Sequence, residues 1–206
     1  MKSILCLFSG GIDSTGVLYK LLTSQEYMRY SIHAHFIKII NRENRHIAET
    51  RAVESCVAWL KENCRSFTYT ENLMDFSSFK NFLLWDSDIT FFMAAEIIAA
   101  SDNMYKYVAH GVTKTDVDFA NYGRRIERST NILTSIVSSY NKSIEKLYPI
   151  KDLTKQQVWD MLPDELRKHT WSCRRPIYTG DTHKPCGMCK TCKQMIDMKI
   201  GWYADK

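Results

Sequence analysis

The sequence predicts an α/β fold in which helices cover both faces of a mostly parallel sheet. Three observations predict this fold. Short β-prone stretches alternate with stretches of helical apolar spacing through most of the chain. The first β-prone stretch ends at a glycine pair, and a helical pattern follows it at once. No internal repeat or low-complexity segment interrupts the alternation. Because each helix carries the chain back to the starting end of the sheet, successive strands are expected to be parallel.

Each predicted element follows from residue type and spacing. Strands are predicted where β-branched, aromatic and other apolar residues form short runs, at residues 3–8, 31–40, 66–70 and 105–110. Helices are predicted where apolar residues recur every three or four positions, at residues 14–22, 45–63, 88–100 and 128–140. In the second of these helices, for example, Val53, Val57 and Leu60 can share one buried face.

The pattern changes after about residue 150. Thr154 and Gln157 form a predicted capping box in front of a short apolar helix, and Pro163 ends that helix. Further on, the sequence is rich in cysteine and is predicted to be irregular. We therefore expect an α/β domain at residues 1–150 and a helical, cysteine-rich section at residues 151–206.

Composition and charge narrow the class of protein. The 206 residues are 45% apolar and 25% charged, as in ordinary globular proteins, and can bury one substantial core. The longest apolar run, residues 89–95, ends at Glu96 and is too short to cross a bilayer, so no membrane span is expected. Seven cysteines, four of them close together, fit a reducing, cytoplasmic location better than secretion. The net charge of +5 is mostly dispersed and gives nucleic-acid binding little support.

Residues 9–14, S-G-G-I-D-S, form a predicted phosphate-binding loop. The loop follows the first strand, at the edge where open parallel sheets bind ligands. Gly10 and Gly11 let backbone N–H groups approach phosphate oxygens, and the next helix begins with a partial positive charge. Asp13 would repel phosphate unless Mg²⁺ or a capping role absorbs its charge. The predicted ATP-binding residues are Phe8, Ser9, Gly10, Gly11, Ile12, Asp13, Ser14 and Thr15.

This loop resembles the pyrophosphate-binding loop of the PP-loop ATP pyrophosphatases, which have an adenine-nucleotide α-hydrolase-like, Rossmann-like fold. The resemblance implies cleavage of ATP between its α- and β-phosphates and adenylation of a substrate. The loop is neither a Walker A sequence, which needs Gly-Lys-Ser/Thr, nor a dinucleotide-binding G-x-G-x-x-G sequence. Because the loop is expected to be open to solvent, replacing Asp13 or Ser14 by alanine is expected to stop ATP turnover with little loss of folding.

Four cysteines near the C-terminus have the spacing of metal ligands. They are Cys173, Cys186, Cys189 and Cys192, which give C-x12-C-x2-C-x2-C. Gly187 allows the tight turn that brings the second and third of them to one ion. Four thiolates without an open position are typical of structural Zn²⁺, with an iron–sulfur cluster as the alternative. The remaining cysteines are expected to be buried, inert thiols: Cys6, Cys56 and Cys64.

Several short sequences together resemble the 7-cyano-7-deazaguanine synthase family, which makes a queuosine precursor. They are the S-G-G-I-D-S loop, L-T-K at residues 153–155, T-W-S-C at residues 170–173 and C-G-x-C-x-x-C at residues 186–192. The resemblance implies an ATP-dependent carbon–nitrogen ligase that converts 7-carboxy-7-deazaguanine and ammonia into the amide and then the nitrile. The expected cofactors are ATP, Mg²⁺ and Zn²⁺. The expected partners are the deazapurine carboxylate and ammonia, with a homodimer and direct nucleic-acid binding left open.

The resemblance weakens at three segments where substrate contacts are expected. Residues 40–46 stand where the family has Y-G-Q-R-H, and residues 85–88 stand where it has P-x-R-N. Residues 111–116 keep the family's outline, but residues 121–125 follow where the family has Y-P-D-C-R. These differences leave other functions open. The same activation can transfer the acyl group to a macromolecular amine. A tRNA-modifying ATP pyrophosphatase would need a reactive cysteine free of metal. A non-catalytic zinc protein that binds nucleic acid has only the basic tail in its favour.

Three residues outside the loop are catalytic candidates. Lys155 matches the lysine of the family's L-T-K sequence and can neutralise phosphate or adenylate charge, although an exposed helical lysine is the alternative. Asp116 follows the fourth strand, where a helix-capping or solvated carboxylate is also expected. Arg124, together with Arg125, can clamp a carboxylate or phosphate or can lie in a solvated loop. His110 can be a polar core residue, a nucleotide contact or a general base.

Overall fold

A computed structural model describes residues 2–79, 85–102, 104–117 and 122–204 of the chain. Its five-stranded sheet consists of β1 (Ser3–Leu7), β2 (Ser31–Ile40), β3 (Thr68–Asp75), β4 (Tyr105–Ala109) and β5 (Glu145–Leu147). Every pairing between neighbouring strands is parallel, in the order β3-β2-β1-β4-β5. The predicted α/β fold with a parallel sheet is confirmed, and the direction of strand addition reverses between β1 and β4.

Helices connect the strands and continue into the C-terminal section. They are α1 (Ile12–Thr23), α2 (His46–Asn63), α3 (Asp86–Ala100), α4 (Lys114–Val117), α5 (Tyr122–Ser139), α6 (Lys155–Met161), α7 (Asp164–Lys168) and α8 (Lys190–Met198). A small antiparallel hairpin, β6 (Ile177–Thr179) with β7 (Thr182–Lys184), precedes α8. Across the described ranges, no helix combines the length and apolar character needed to cross a membrane.

Successive residues of β1 point to opposite faces of the sheet and enter two separate cores. Ile4 and Cys6 belong to one buried cluster with side chains of α1 and α2, whereas Leu5 and Leu7 belong to another with side chains of α3 and α5. All five residues of β1 are buried, as expected for a central parallel strand that is covered on both faces. This layering brings the carboxyl ends of the strands and the N-termini of α1, α2, α3 and α5 to one edge of the sheet.

Two strands differ from the predicted ones, and both lie at edges of the sheet. β5 was not predicted, because its three residues, E-K-L, show no apolar alternation. Their position is set by pairing with β4. β3 runs from Thr68 to Asp75, whereas the prediction ended it at residue 70. All eight of its residues pair with β2, and its charged residues are tolerated because an edge strand is partly solvated.

α5 and the C-terminal section also differ from prediction. α5 begins at Tyr122 rather than at residue 128, because its first turns carry charged side chains that obscure the apolar spacing. The segment beyond Thr170 is not irregular, since it contains the β6–β7 hairpin and α8. α8 begins where the Cys189 sulfur accepts the N–H of Cys192 as an N-terminal cap. Apolar periodicity could not reveal these short elements, because the cysteine cluster helps to place them.

The C-terminal section packs directly on the α/β part of the chain. The N–H of Trp171 donates to the carbonyl of Gly10 at 2.8 Å. Val158 and Leu162 belong to the same hydrophobic cluster as Ile4. α6 lies so close to α1 that a Cβ added to Gly16 would come within 2.5 Å of the Val158 Cγ1 atom. The position of α6, which begins at Lys155, is therefore set by this helix contact.

Gly16→Ala is expected to lower the free energy of unfolding by about 1–3 kcal/mol, because the added methyl group must push Val158 away from α1. Gly123→Ala is the matched control: its added methyl group meets nothing within 4 Å, so it should be neutral or slightly stabilising. Urea unfolding of both variants measures the difference. Equal stability of the two variants would contradict the close packing of α1 and α6.

Candidate functional site

The loop between β1 and α1 is closely packed at both of its glycines. Gly10 has a φ angle of +70°, in the left-handed region that favours glycine. A Cβ on Gly10 would lie 2.9 Å from the backbone nitrogen of Val53 in α2. A Cβ on Gly11 would lie 3.3 Å from the carbonyl oxygen of Trp171. The loop backbone is thus held between α2 and the C-terminal section.

This loop presents several hydrogen-bond donors at one point. The N–H groups of Gly10, Gly11, Asp13 and Ser14 donate to no acceptor within the described part of the chain. The Ser14 hydroxyl oxygen accepts the N–H of Ser9 at 3.1 Å and lies 3.1 Å from the Ser9 hydroxyl oxygen. α1 begins at the same point without a side-chain cap. Backbone N–H groups at the positive end of a helix are the features of an anion-binding site.

Four of the predicted ATP-binding residues are buried behind the loop surface. Phe8 and Ile12 belong to the hydrophobic cluster of α1 and α2, and Thr15 has no exposed surface. Ser14 is only 8% exposed, so the expected solvent-accessible position is wrong for this residue. The side chains of these residues fix the position of the loop backbone, because their packing couples the loop to the core.

Lys155 lies against the loop and pairs with Asp13. Its Nζ atom is 2.7 Å from Asp13 Oδ2, and the two side chains are 6% and 26% exposed. The predicted capping box of Thr154 and Gln157 is present and starts α6 at Lys155. Burial by itself would lower the pKa of Lys155, but the carboxylates of Asp13 and Asp116 outweigh burial and raise this pKa. Lys155 therefore stays charged and neutralises Asp13, and the alternative of an exposed helical lysine is wrong.

Asp116 organises the segment that follows β4. Its Oδ2 atom accepts the N–H of Thr113 at 2.9 Å and the Thr113 hydroxyl at 2.8 Å. Its negative charge also acts on Lys155. Gly111, at the start of this segment, lets it approach the loop, because a Cβ there would lie 3.1 Å from the carbonyl carbon of Asp13. Asp116 is thus a turn-forming residue beside the Asp13–Lys155 pair, and Gly111 is a site residue absent from the predicted set.

The four predicted metal ligands come together. The Sγ atoms of Cys173, Cys186, Cys189 and Cys192 all lie within 4.8 Å of one another. The Cys173 and Cys186 sulfurs are 3.6 Å apart, close to the spacing of about 3.8 Å that follows from tetrahedral Zn–S bonds of about 2.3 Å. Backbone N–H groups donate to three of the sulfurs at 3.3 or 3.4 Å. Gly187 has a φ angle of +72°, as the predicted tight turn requires.

The other three cysteines are poor candidates for reactive thiols. Cys6 and Cys56 are completely buried, as predicted, and burial raises the pKa of both thiols, to about 12 for Cys56. Cys64 is half-buried, and burial raises its pKa as well. A nucleophilic cysteine needs a lowered pKa. In the described residues, therefore, the cysteines outside the metal cluster do not favour a thiol-based tRNA-modifying reaction.

A network of ion pairs joins segments that are far apart in sequence, and the sequence analysis did not predict it. Arg174, next to the first cysteine ligand, binds both carboxylate oxygens of Glu43, at 3.1 and 2.8 Å. It also lies 2.8 Å from Asp86 at the start of α3. Arg45 lies 2.6 Å from the same Asp86 oxygen and 3.3 Å from Glu49 in α2. The network links the cysteine cluster to two of the segments that depart from the family's usual sequence.

Glu49 gives this network a pH dependence. Burial raises its pKa to about 7, although the charge of Arg45 opposes the shift. Since the folded-state pKa exceeds the unfolded value of about 4.5, the folded state binds more protons between these two values, and stability must fall as pH rises through that window. We expect Glu49→Gln to remove this fall. The free energy of unfolding of the variant, relative to that of the wild-type protein, should therefore rise by about 2–3 kcal/mol between pH 5 and pH 8. Urea unfolding at both pH values measures the gain, and parallel pH profiles would contradict the assignment.

A cleft of about 700 Å³ opens between the first turns of α3 and α5. Its walls include Trp85 and three arginines, Arg124, Arg125 and Arg128, together with the acidic residues Asp88 and Glu127. The Arg125 guanidinium lies over the Trp85 ring, 5.6 Å from the ring centroid, and Arg128 is 2.5 Å from an oxygen of Asp88. The structure therefore places Arg124 in the wall of a cleft, at the same sheet edge as the phosphate loop.

His110 directly follows β4. It is half-buried, and its imidazole packs against Phe91, with a ring-centroid distance of 5.2 Å. Its Nδ1 atom has no hydrogen-bond partner among the residues that the structure describes. Burial, with the positive charges of Lys146 and Arg125, lowers its pKa to about 4, against the opposing charge of Asp116. The imidazole is therefore neutral near pH 7, and the charges of Arg125 at the cleft and of Asp116 after β4 both act on it.

Comparison with known protein families now adds to this geometry. A family model described as queuosine biosynthesis protein QueC matches residues 3–197, from the start of β1 to α8. The matched range includes the phosphate loop, Lys155 and all four clustered cysteines. No curated protein matches the chain. The family model covers nearly the whole chain and confirms the predicted resemblance, so the chain belongs to the family of queuosine biosynthesis protein QueC.

Proposed function

We propose that this protein is an ATP-dependent ligase that adenylates 7-carboxy-7-deazaguanine, or a closely related deazapurine acid, and lets ammonia displace AMP. The products are the amide and, after a second activation, 7-cyano-7-deazaguanine. The observation that carries the proposal is the phosphate loop with its Asp13–Lys155 pair in a member of the QueC family. ATP supplies the leaving group: adenylation releases pyrophosphate, and attack by ammonia releases AMP and a proton.

The loop's own groups suit the pyrophosphate part of ATP. The unpaired N–H groups of Gly10, Gly11, Asp13 and Ser14 can donate to phosphate oxygens that approach the N-terminus of α1. Because glycine is needed at position 10 for both its φ angle and its distance to Val53, the backbone is rigid at this point. A rigid set of donors loses little entropy on binding and stays aimed at the charge that develops on the leaving group.

Asp13 and Lys155 explain how a carboxylate can belong to a phosphate site. Lys155 neutralises one oxygen of Asp13 at 2.7 Å, which removes most of the repulsion that the sequence analysis expected. The other oxygen, Oδ1, is buried and has no hydrogen-bond partner among the described residues. A carboxylate oxygen of this kind fits Mg²⁺, which binds through one or two carboxylates and the phosphates of the nucleotide. We assign Lys155 the further role of holding positive charge beside the phosphates.

The cysteine cluster suits Zn²⁺ in a structural role. The four sulfurs lie within 4.8 Å of one another, and four thiolates would fill a tetrahedral Zn²⁺ site without leaving the open position of a catalytic site. Trp171 and Ser172, which precede Cys173, contact the phosphate loop through the Gly10 carbonyl and the Ile12 N–H. Bound zinc would therefore fix the chain segment that forms one wall of the loop, without taking part in the reaction.

Incubation of the purified protein with ATP, Mg²⁺, ammonium and 7-carboxy-7-deazaguanine tests this proposal. AMP and pyrophosphate should form in equal amounts and only when the acid is present, and mass spectrometry should detect the amide or the nitrile. Formation of ADP and phosphate, or no acid-dependent AMP from zinc-loaded protein, would contradict the proposal. Acid-dependent AMP release that requires a protein or tRNA amine instead of ammonia would point to acyl transfer.

A further inference from the structure

The cleft between α3 and α5 offers an aromatic ring and an arginine to a flat, negatively charged ligand, and its wall also contains Asp88, which pairs with Arg128, and Glu127. Its volume of about 700 Å³ is within the range of small-molecule sites. Trp85, whose surface is 40% exposed, supplies an aromatic wall. The Arg125 guanidinium that lies over this ring is exposed and has no carboxylate partner among the described residues. A cation–π contact uses none of the five guanidinium N–H donors, so these remain available to a carboxylate.

The start of α5 adds a second, independent reason to expect an anion. The first turn of an α-helix is its positive end, and carboxylates are favourable there while cations are unfavourable. α5 has no acidic residue in its first turn but carries Arg124 and Arg125 there. The third and fourth residues of this 18-residue helix are arginines, and Arg125 adds its charge to the positive end of the helix. A bound anion would offset that charge.

The cleft lies at the same edge of the sheet as the phosphate loop. α3 and α5 begin at the carboxyl edge of the sheet, beside the point between β1 and β4 where the order of strands reverses, which is the usual ligand site in such sheets. The charges of Arg125 and Asp116 both act on His110, and Asp116 also acts on Lys155. His110 and Asp116 therefore connect the electrostatics of the cleft to those of the Asp13–Lys155 pair.

We propose that this cleft binds the planar heteroaromatic acid, with Arg125 paired to its carboxylate and Trp85 in contact with its ring. This proposal rests on the proposed function and names the substrate-binding residues for it. The segments that hold Trp85 and Arg125 are two of the three that depart from the family's usual sequence. The cleft therefore also determines which acid this protein binds. Because Arg125 favours a carboxylate, the neutral amide that forms after the first activation should bind less tightly.

Equilibrium binding without turnover tests the cleft separately from the reaction. Isothermal titration with 7-carboxy-7-deazaguanine should show about ten- to hundredfold weaker binding to Arg125→Gln than to the wild-type protein, as expected for a lost charge-assisted hydrogen bond. Binding of the primary amide to Arg125→Gln should be unchanged, which a general loss of structure would not allow. Trp85→Leu should weaken both ligands. Arg29→Gln is the matched control, because Arg29 is exposed and lies over Tyr30 near the start of β2.

The outcomes separate this proposal from the proposed function. If the wild-type protein turns over the acid and Arg125→Gln binds it normally, the cleft assignment is overturned and the function stands. If the acid binds through Arg125 but no AMP forms with ATP and ammonium, the cleft assignment stands and the function fails. If the wild-type protein does not bind the acid, the cleft assignment is overturned. Equal losses in Arg125→Gln and Arg29→Gln would overturn it as well.

Discussion

The Asp13→Asn variant is expected to lose nearly all acid-dependent pyrophosphate release and also to unfold more easily than the wild-type protein. Activity should be lost because an amide would not replace the carboxylate at the proposed Mg²⁺ site. Stability is lost because the ammonium of Lys155, which is only 5% exposed, is left in the protein interior without its partner at 2.7 Å. Breaking a buried pair from one side costs on the order of 3 kcal/mol. Urea unfolding and a pyrophosphate assay measure the two effects.

A double variant separates the two effects. Asp13→Asn with Lys155→Met removes the buried charge together with its partner, so most of the lost stability should return while activity stays absent. Lys20→Met is the matched control for loss of a lysine, since Lys20 lies on α1 and donates to the carbonyl of Pro149 rather than to a carboxylate. If Asp13→Asn releases pyrophosphate at the wild-type rate, the phosphate-loop assignment is wrong.

Cys189→Ser is expected to lose bound zinc and to lower the melting temperature by about 10 °C or more. Three remaining thiolates hold the ion poorly, and the binding free energy of a structural zinc is also folding free energy. A loss of about 3–5 kcal/mol produces a shift of this size in a protein of about 200 residues. Since Cys189 also caps α8, the C-terminal end should loosen first. Metal analysis and thermal unfolding should change together.

Cys64→Ser is the control for this variant, because Cys64 is half-buried and lies outside the cluster. It should keep its zinc and most of its stability. Removal of the metal from the wild-type protein by a strong chelator should reproduce the Cys189→Ser result. A Cys189→Ser protein that retains stoichiometric zinc and its melting temperature would contradict the four-cysteine site.

Features that depend on neighbours in sequence were predictable. The Gly10–Gly11 pair directly after a β-prone run locates the phosphate loop, because in a parallel sheet the first strand must lead into such a turn. The spacing of three between the last cysteines locates the metal cluster, and Thr154 with Gln157 locates the start of α6. In each case, the signal lies within a few residues.

Features that depend on tertiary contacts were not predictable. The partner of Asp13 is a lysine 142 positions away, so burial of this pair could not be foreseen and folding was expected to tolerate the loss of Asp13. The contacts of Arg174 with Glu43 and Asp86 span 131 and 88 positions of the sequence, and no local sequence pattern predicts them. Gly111 is needed only because the segment after β4 approaches the Asp13 backbone. These features all depend on contacts between residues that are far apart in sequence.

An oxygen-18 transfer experiment tests the central claim, adenylation of a carboxylate, most directly. 7-Carboxy-7-deazaguanine labelled in both carboxylate oxygens is incubated with the protein, ATP and ammonium, and the masses of the products are measured by mass spectrometry. Because the acyl oxygen bonded to phosphorus leaves with AMP, each AMP should carry one labelled oxygen, and any amide should carry the other. Unlabelled AMP, or label that appears in inorganic phosphate beside ADP, would contradict adenylation and with it the proposed role of the Asp13–Lys155 pair.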